Sequence, residues 1–297
     1  MNEQKTRSND LLWHYTSPKG LTGIIESSSL WATDVFYLND SAEFMYGINI
    51  AREIIKQKIS SLGGDEKKRL ESFDTHLSFI GPDYKRPVYV CSLSKAENEL
   101  SQWKAYCREG GFSIGFPRKG LVEAIQNQHF ELKECVYNST EQQNIINVLI
   151  DSRVIPYIEN PEQFSQIPCT PDMISAIVSG GVNEFLWELS STCSILKHPS
   201  FEREEEWRLI FDHRYAYEKD ESGKNKIEPQ FRTKTGLIIP YIRIKLPENE
   251  DFWRQVSIII GPTKYEKELK GSLYTLYGKY HTTAISITQS KIPFREL

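Results

Sequence analysis

No apolar run in this sequence approaches the roughly 20 residues that a membrane-spanning helix needs, and the opening MNEQKTRSND is polar. The expectation is a soluble, cytoplasmic protein with no membrane partner. There is no CxxC pair. The five cysteines, Cys91, Cys107, Cys135, Cys169 and Cys193, are odd in number and widely spaced. Reduced thiols are therefore expected, not a disulfide framework or a zinc site. No His/Cys/Asp cluster has metal-ligand spacing, so no metal is expected. Neither GxGxxG nor GxxxxGK(S/T) occurs, which removes the phosphate-binding turn of the Rossmann and P-loop folds. With a net charge of -4 and a pI near 6.0, there is no global positive field for nucleic acid.

What is present is ordinary globular composition, 297 residues with 39% hydrophobic and 26% charged, enough for a large core. Aromatic residues are plentiful and fill a core efficiently. The organising stretch is LLWHYTSPKGLTGIIESSSLWAT, residues 11–33. It reads as strand, helix, strand. Leu11, Leu12 and Trp13 form the apolar strand, and His14, Tyr15 and Thr16 end it. Ser17 is a good N-cap and Pro18 suits the first helical position. Leu21, Ile24 and Ile25 fall at helical spacing. The serines at 27–29 end the helix, and Leu30-Trp31-Ala32 opens a second strand. His14 thus stands at a strand end, a common place for working groups.

Further along, Asn39-Asp40 signals a turn and Ser41 caps a helix over residues 41–60, with Phe44, Ile48, Ala51, Ile55 and Ile59 on one face. Residues 63–86 form a charged, helical excursion between loops. VYVCSLS, residues 88–94, is a strand. ENELSQWKAYCREGG, residues 97–111, is a short helix stopped by glycines. FSIGF, residues 112–116, is a strand with Phe112, Ile114 and Phe116 on one buried face and Gly115 marking close backbone approach. Residues 132–137 are a candidate strand, and 141–158 and most of 173–201 are helical. A strand alternates through Glu206–Phe211. Two more occupy 235–246 and 256–262, beyond a polar loop at 218–229. A helix over 263–280 and a strand over 284–294 close the chain. This order predicts an α+β fold, a mixed and largely antiparallel sheet with flanking helices. A single α+β domain is expected over 11–297, with a helical insertion near 141–200 and a disordered segment at 1–10.

Three strands carry polar residues that a purely structural strand does not need. The first ends in His14-Tyr15-Thr16, the second in Ser92-Leu93-Ser94, and the third begins Glu204-Glu205-Glu206-Trp207-Arg208. Period two puts Ser92 and Ser94 on one face, and Glu204, Glu206 and Arg208 likewise. Each has a plain reading. His14 is then a satisfied strand-end histidine, the serines cap a turn, and the glutamates are a solvated charge run. Yet a carboxylate run leading straight into Trp-Arg-Leu-Ile-Phe sets a glutamate at the head of a buried strand, with Arg208 as its natural partner. Gln102 and Tyr106, four apart on one short helix, share a face beside the serine strand. Trp103 between them reads as core. Asn39, Asp40 and Glu43 read as a turn and cap. A nucleophilic Cys91 or Cys107 paired with His14 has no support from spacing.

Taken together, LWHYTSPKGLTGII…LWATDVFYLNDSAEF, CSLSKAENELSQWKAYCREGGFSIGF, KHPSFEREEEWRLIF, LIIPYIRIKL, VSIIIGP and SKIPFR resemble, in that order, the bacterial domain of unknown function 2971 over residues 11–295. More remotely, the arrangement resembles ADP-ribosyltransferases. Those enzymes carry a His or Arg on the first core strand, a Ser-x-Ser or Tyr on the second, and a Glu near a later strand. The resemblance implies an ADP-ribosyltransferase-like core with NAD as substrate, in a defence or toxin role, acting on a macromolecular acceptor. By it, His14 bonds the ribose, Ser92 and Ser94 support the nicotinamide pocket, and Glu206 orients the nucleophile or a ribose hydroxyl, with Glu204 as the first of a Glu-x-Glu pair. Tyr15, Thr16, Gln102, Tyr106 and Arg208 then line the nucleotide site. Cleavage of the nicotinamide–ribose bond passes through an oxocarbenium-like species, which a carboxylate stabilises. Two rival readings stand beside this one, a non-catalytic nucleotide- or partner-binding module and a metal-independent nuclease-type effector using His14 with Glu204 or Glu206.

Overall fold

A computed structural model describes residues 10–38, 41–80, 87–107, 110–165, 168, 170–211, 227–234, 236–282 and 284–292. The elements in chain order are β1 (Leu11–Thr16), α1 (Pro18–Ser27), β2 (Ser29–Asp34), α2 (Ser41–Ser61), α3 (Gly64–Leu77), β3 (Tyr89–Ser94), α4 (Leu100–Tyr106), β4 (Phe112–Pro117), α5 (Arg118–Ile125), β5 (Phe130–Glu134), α6 (Ser139–Arg153), α7 (Ile155–Glu159), α8 (Pro171–Cys193), β6 (Glu206–Phe211), β7 (Gln230–Lys234), β8 (Leu237–Lys245), α9 (Glu250–Gln255), β9 (Ser257–Ile260), α10 (Glu266–Tyr280) and β10 (Ser286–Gln289). The expected turn at Asn39-Asp40, Cys169, residues 1–9, most of the 218–229 loop and the end of the closing strand lie outside the described residues. Asp10, expected in the disordered segment, instead pairs with Arg118 at 2.9 Å.

The α+β expectation holds. Among the described residues ten strands form one mixed sheet, in which β9 and β10 pair parallel and the other neighbouring strands antiparallel. The opening stretch folds as its residues dictate. Ser17 Oγ accepts the Gly20 N–H at 3.2 Å, Pro18 starts α1, and Ser28 ends it in the left-handed region at φ 43°. Leu21, Ile24 and Ile25 are all buried. Three elements escape the sequence pattern. Strand β7 is half-buried only at Arg232, so it has no alternation to detect. Helices α5 and α9 have 8 and 6 residues, too short for a clear period.

Alternation sorts the sheet into two faces. On one lie Leu12 of β1, Cys91 and Leu93 of β3, Phe112 and Ile114 of β4 and Leu209 of β6, packed with α1, α5, α9 and α10. On the other, Val90 and Ile210 pack under α2, α3, α6, α7 and α8. The region expected as a helical insertion therefore shares a core with α2 and α3. Trp13, Tyr15 and Ile259 make a smaller cluster with Trp103 of α4.

Gly115 of β4 lies opposite Trp13 of β1, whose side chain packs over it. A Cβ there would lie 2.8–2.9 Å from three carbons of the Trp13 ring. The ring is 6% exposed and has little room to move. Gly115→Ala is expected to cost about 1–3 kcal/mol of stability through overpacking, read as a lower urea midpoint at unchanged slope. An unchanged midpoint would show that Trp13 repacks freely.

Candidate functional site

Strand β3 has two edges, and β6 occupies one of them from Val90 to Ser94. The other edge is shared. β1 meets it only at Trp13↔Ser94, and β2 only at Thr33↔Val90 and Asp34↔Tyr89. Between these contacts β1 and β2 diverge, and the sheet opens into a fork. A cleft of about 1480 Å³ runs into it, lined by β1, β2, β3, β7 and the ends of α1 and α4.

His14 stands in the fork. Its Nδ1 lies 2.9 Å from the Ser92 carbonyl, which no strand covers. A carbonyl only accepts, so Nδ1 carries the proton and Nε2 presents a lone pair. Burial lowers the His14 pKa, the Ser92 bond opposes this, and the charge of Arg232 adds to the lowering. The ring is therefore neutral at physiological pH, and Nε2 is an acceptor that no described residue engages. Two more polar groups on the cleft wall lack a partner among the described residues, the Ser92 hydroxyl and the Gln102 amide. Gln102 is only 6% exposed. Tyr106, four residues on, lies at the cleft mouth and is 38% exposed.

The carboxylates form a different structure. Register pairs Ser92 with Arg208 and Ser94 with Glu206, so these four share one face. Glu206 Oε1 accepts from Arg208 Nε at 2.6 Å, and its Oε2 accepts from Lys197 Nζ at 2.6 Å and Arg208 Nη2 at 3.1 Å. Lys197 Nζ also reaches Glu204 Oε2 at 2.6 Å and Glu43 Oε1 at 3.2 Å. Arg208 adds Glu43 Oε2 at 3.0 Å and the Ser194 carbonyl at 2.6 Å. Two buried carboxylates, Glu43 and Glu206, and the partly exposed Glu204 thus face two buried cations. Burial favours the neutral Glu206 acid, but Arg208 and Lys197 outweigh it and hold the carboxyl down at about 2. Burial likewise opposes charge on Lys197, and Glu206 and Glu43 overcome it.

The sign of the pH effect follows. A carboxyl whose pKa falls on folding stabilises the fold above its unfolded value, near 4.5, and that contribution is lost as pH falls through about 2. Acid unfolding of the wild type is expected to steepen across that window. In Glu206→Gln the steepening should be missing; its persistence would place the acid sensitivity elsewhere.

The structure brings the expected residues to one cleft, but not on one face. By alternation His14 and Thr16 lie opposite Glu206, and they meet across the fork. Glu204 is not on the strand. It ends a 3-10 turn, Pro199–Glu204, and Glu205 at φ 42° breaks the alternation before β6 begins. Ser94 is occupied, donating to the Glu204 carbonyl at 2.6 Å and accepting the Ala96 N–H at 2.9 Å. Tyr15 is occupied too. Its hydroxyl donates to the Ala96 carbonyl at 2.7 Å and accepts the Glu99 N–H at 2.9 Å, latching the β3–α4 loop, and its ring edge meets Trp103. Thr16 lines the cleft, its hydroxyl lying where a Cβ on residue 20 would be, so glycine is required there. Glu43 is corrected from a turn cap to a member of the buried cluster. Lys197 had no sequence signal, since KHPSF looks like a surface turn.

The cysteine-nucleophile reading ends here, and the structure supports no serine nucleophile at Ser113. Residues 111–115 spell GxSxG, but Ser113 is fully buried in mid-strand on β4, not at a strand-to-helix elbow. Burial pushes the Cys91 and Cys107 thiols up to about 12 each, so both stay protonated. Among the described residues no group of three His, Cys, Asp or Glu could hold a metal ion, and no helix is long and apolar enough to cross a membrane.

Residues 102–209 match the family described as "Protein of unknown function (DUF2971)". That span runs from Gln102 to the middle of β6 and includes Lys197, Glu204, Glu206 and Arg208. His14 and Ser92 lie outside it. No curated protein and no solved structure matches the chain.

Proposed function

We propose that the fork binds NAD and that the protein breaks its nicotinamide–ribosyl bond, as an ADP-ribosyltransferase-like enzyme. The observation that carries this is the unsatisfied polar set at the fork, with His14 Nε2, the Ser92 hydroxyl and the Gln102 amide all facing one cleft. Ordinary ligand pockets run to about 300–1,000 Å³, and this cleft is large enough for a dinucleotide. A neutral imidazole acceptor suits a ribose hydroxyl. A primary amide both donates and accepts, as the nicotinamide carboxamide requires of a partner.

The chemistry needs little more. Nicotinamide leaves with the electron pair of the C–N bond, which discharges its ring, and an acceptor nucleophile or water bonds to the ribose carbon and gives up a proton. Positive charge builds on the ribose between these events, and nearby carboxylate stabilises it. Glu204 fits that role better than Glu206. Its side chain lines the cleft and is 14% exposed against 6% for Glu206, so it is the more accessible of the two. Glu206 acts behind it, fixing Lys197 and Arg208.

One observation favours a second reading. Both oxygens of Glu206 are taken by cations, as befits a structural carboxylate in a non-catalytic nucleotide-binding module. Incubating the purified protein with NAD separates the two. Nicotinamide release, with label passing to protein, DNA or RNA, supports the enzyme. NAD binding without release, across all acceptors, leaves the binding module.

A further inference from the structure

Strand β7 brings one more charge to the cleft, and no described residue neutralises it. Arg232 is half-buried at the open edge of the sheet. Its Nη2 donates to Thr33 Oγ1 at 3.0 Å, and its guanidinium lies over the Trp31 ring, 5.3 Å from the centroid. Trp31 in turn packs on Tyr241 at 4.5 Å. Every one of these neighbours is uncharged. Among the described residues no carboxylate pairs with Arg232, and its Nε is buried with no hydrogen-bond partner. The contrast with Arg208 is direct, since that guanidinium is closed by Glu206, Glu43 and the Ser194 carbonyl. A desolvated guanidinium without an anion costs free energy that the fold must supply elsewhere. Such a group is expected where a ligand provides the missing charge.

We propose that Arg232, held over the Trp31 ring, binds the pyrophosphate of a nucleotide lodged in the cleft. The proposal rests on the NAD reading and adds the residue that recognises the ligand's charge. Guanidinium forks match phosphate oxygens in geometry, and the contact with the Trp31 ring and the bond to Thr33 Oγ1 restrain the fork before the ligand arrives. The surroundings agree. Lys19 and Lys234 line the same cleft. Phe231 and Ile238, 65% and 66% exposed, form an apolar rim beside Arg232, and Trp31 is itself 38% exposed. A cation flanked by open apolar and aromatic surface suits a phosphate carrying a base. Arg232 and His14 line the same cleft, so one nucleotide lodged there can meet both. In that arrangement Arg232 takes the phosphates while His14, Ser92 and Gln102 face the ribose and its leaving group.

Calorimetry on the full chain with adenosine, ADP and inorganic pyrophosphate tests this. Wild type is expected to bind ADP about tenfold or more tightly than adenosine, and to bind pyrophosphate measurably. Arg232→Gln should weaken ADP about ten- to hundredfold, the loss of one or two charge-assisted hydrogen bonds, and leave adenosine as it was. Arg232→Lys should keep part of the preference, which guards against misreading a folding defect. Equal affinity of wild type for ADP and adenosine, or an ADP preference that survives in Arg232→Gln, would overturn the proposal. So would failure of both ADP and pyrophosphate to bind. An Arg232-dependent ADP preference with no nicotinamide release from NAD would leave this inference standing and remove the enzymatic reading instead.

Discussion

Lys197→Met is expected to lower the unfolding free energy at neutral pH by about 3–5 kcal/mol, the usual cost of removing one partner from a buried ion cluster. Methionine resembles lysine in length and leaves little cavity, so the change isolates the charge. The Lys197 side chain is 1% exposed and touches Glu43, Glu204 and Glu206. Without it Glu43 and Glu206 keep Arg208 but lose their second buried cation, and Glu204 loses its contact with Lys197. The carboxyls can respond only by taking a proton. The deficit should therefore shrink as pH falls from about 7.5 towards about 5. Urea unfolding at both pH values measures it. A loss below about 1 kcal/mol at the higher pH would mean that water screens the cluster in solution, as it screens surface pairs. Combining Lys197→Met with Glu43→Gln should recover part of the loss, because the second change removes one of the stranded charges.

The second large effect separates the two glutamates. Glu204→Gln is expected to reduce nicotinamide release from NAD by about a hundredfold or more, the scale of removing one preorganised electrostatic group. Its stability should stay within about 1 kcal/mol of wild type, because its partly exposed carboxylate carries less of the cluster. Glu206→Gln should do the reverse in stability, losing about 3 kcal/mol or more as Arg208 and Lys197 lose their shared anion. The useful readings are kcat at saturating NAD and kcat/KM at limiting NAD, together with a urea midpoint for each variant. If both variants keep full turnover, neither carboxylate assists the reaction. If Glu206→Gln keeps its stability and loses nicotinamide release while Glu204→Gln is destabilised and releases normally, the division of labour drawn above is reversed.

Much of this arrangement was legible in the residues. Alternation through Trp207, Leu209 and Phe211 located β6 and set Glu206 and Arg208 together on its other face. Ser17, Pro18 and the spacing of Leu21, Ile24 and Ile25 located α1. The fork was not legible, because which strands share an edge of β3 is a long-range fact that no local pattern encodes. Nor was Glu43's partnership. It is joined to Arg208 across 165 residues, and an acidic residue in the first turn of a helix looks like a dipole partner in sequence. Glu204 was misplaced for a local reason. Period two assumes extended backbone, and the left-handed Glu205 interrupts it. Arg232 left no trace, since a five-residue edge strand without a buried apolar face is indistinguishable from loop.

The buried cluster also bears on how the chain folds. Its members come from the start of α2, the segment after α8, and β6, so it closes only when elements far apart in the sequence have docked. Loop-closure entropy makes such contacts late. A collapsed chain with α2 or α8 out of place would bury carboxylates away from Lys197 and Arg208, at a cost larger than typical packing errors. The charges therefore act as an assembly check, one that tolerates only the docked arrangement. If the cluster forms after the rate-limiting step, Lys197→Met should accelerate unfolding and leave the refolding rate nearly unchanged; slower refolding would place the cluster in the folding nucleus.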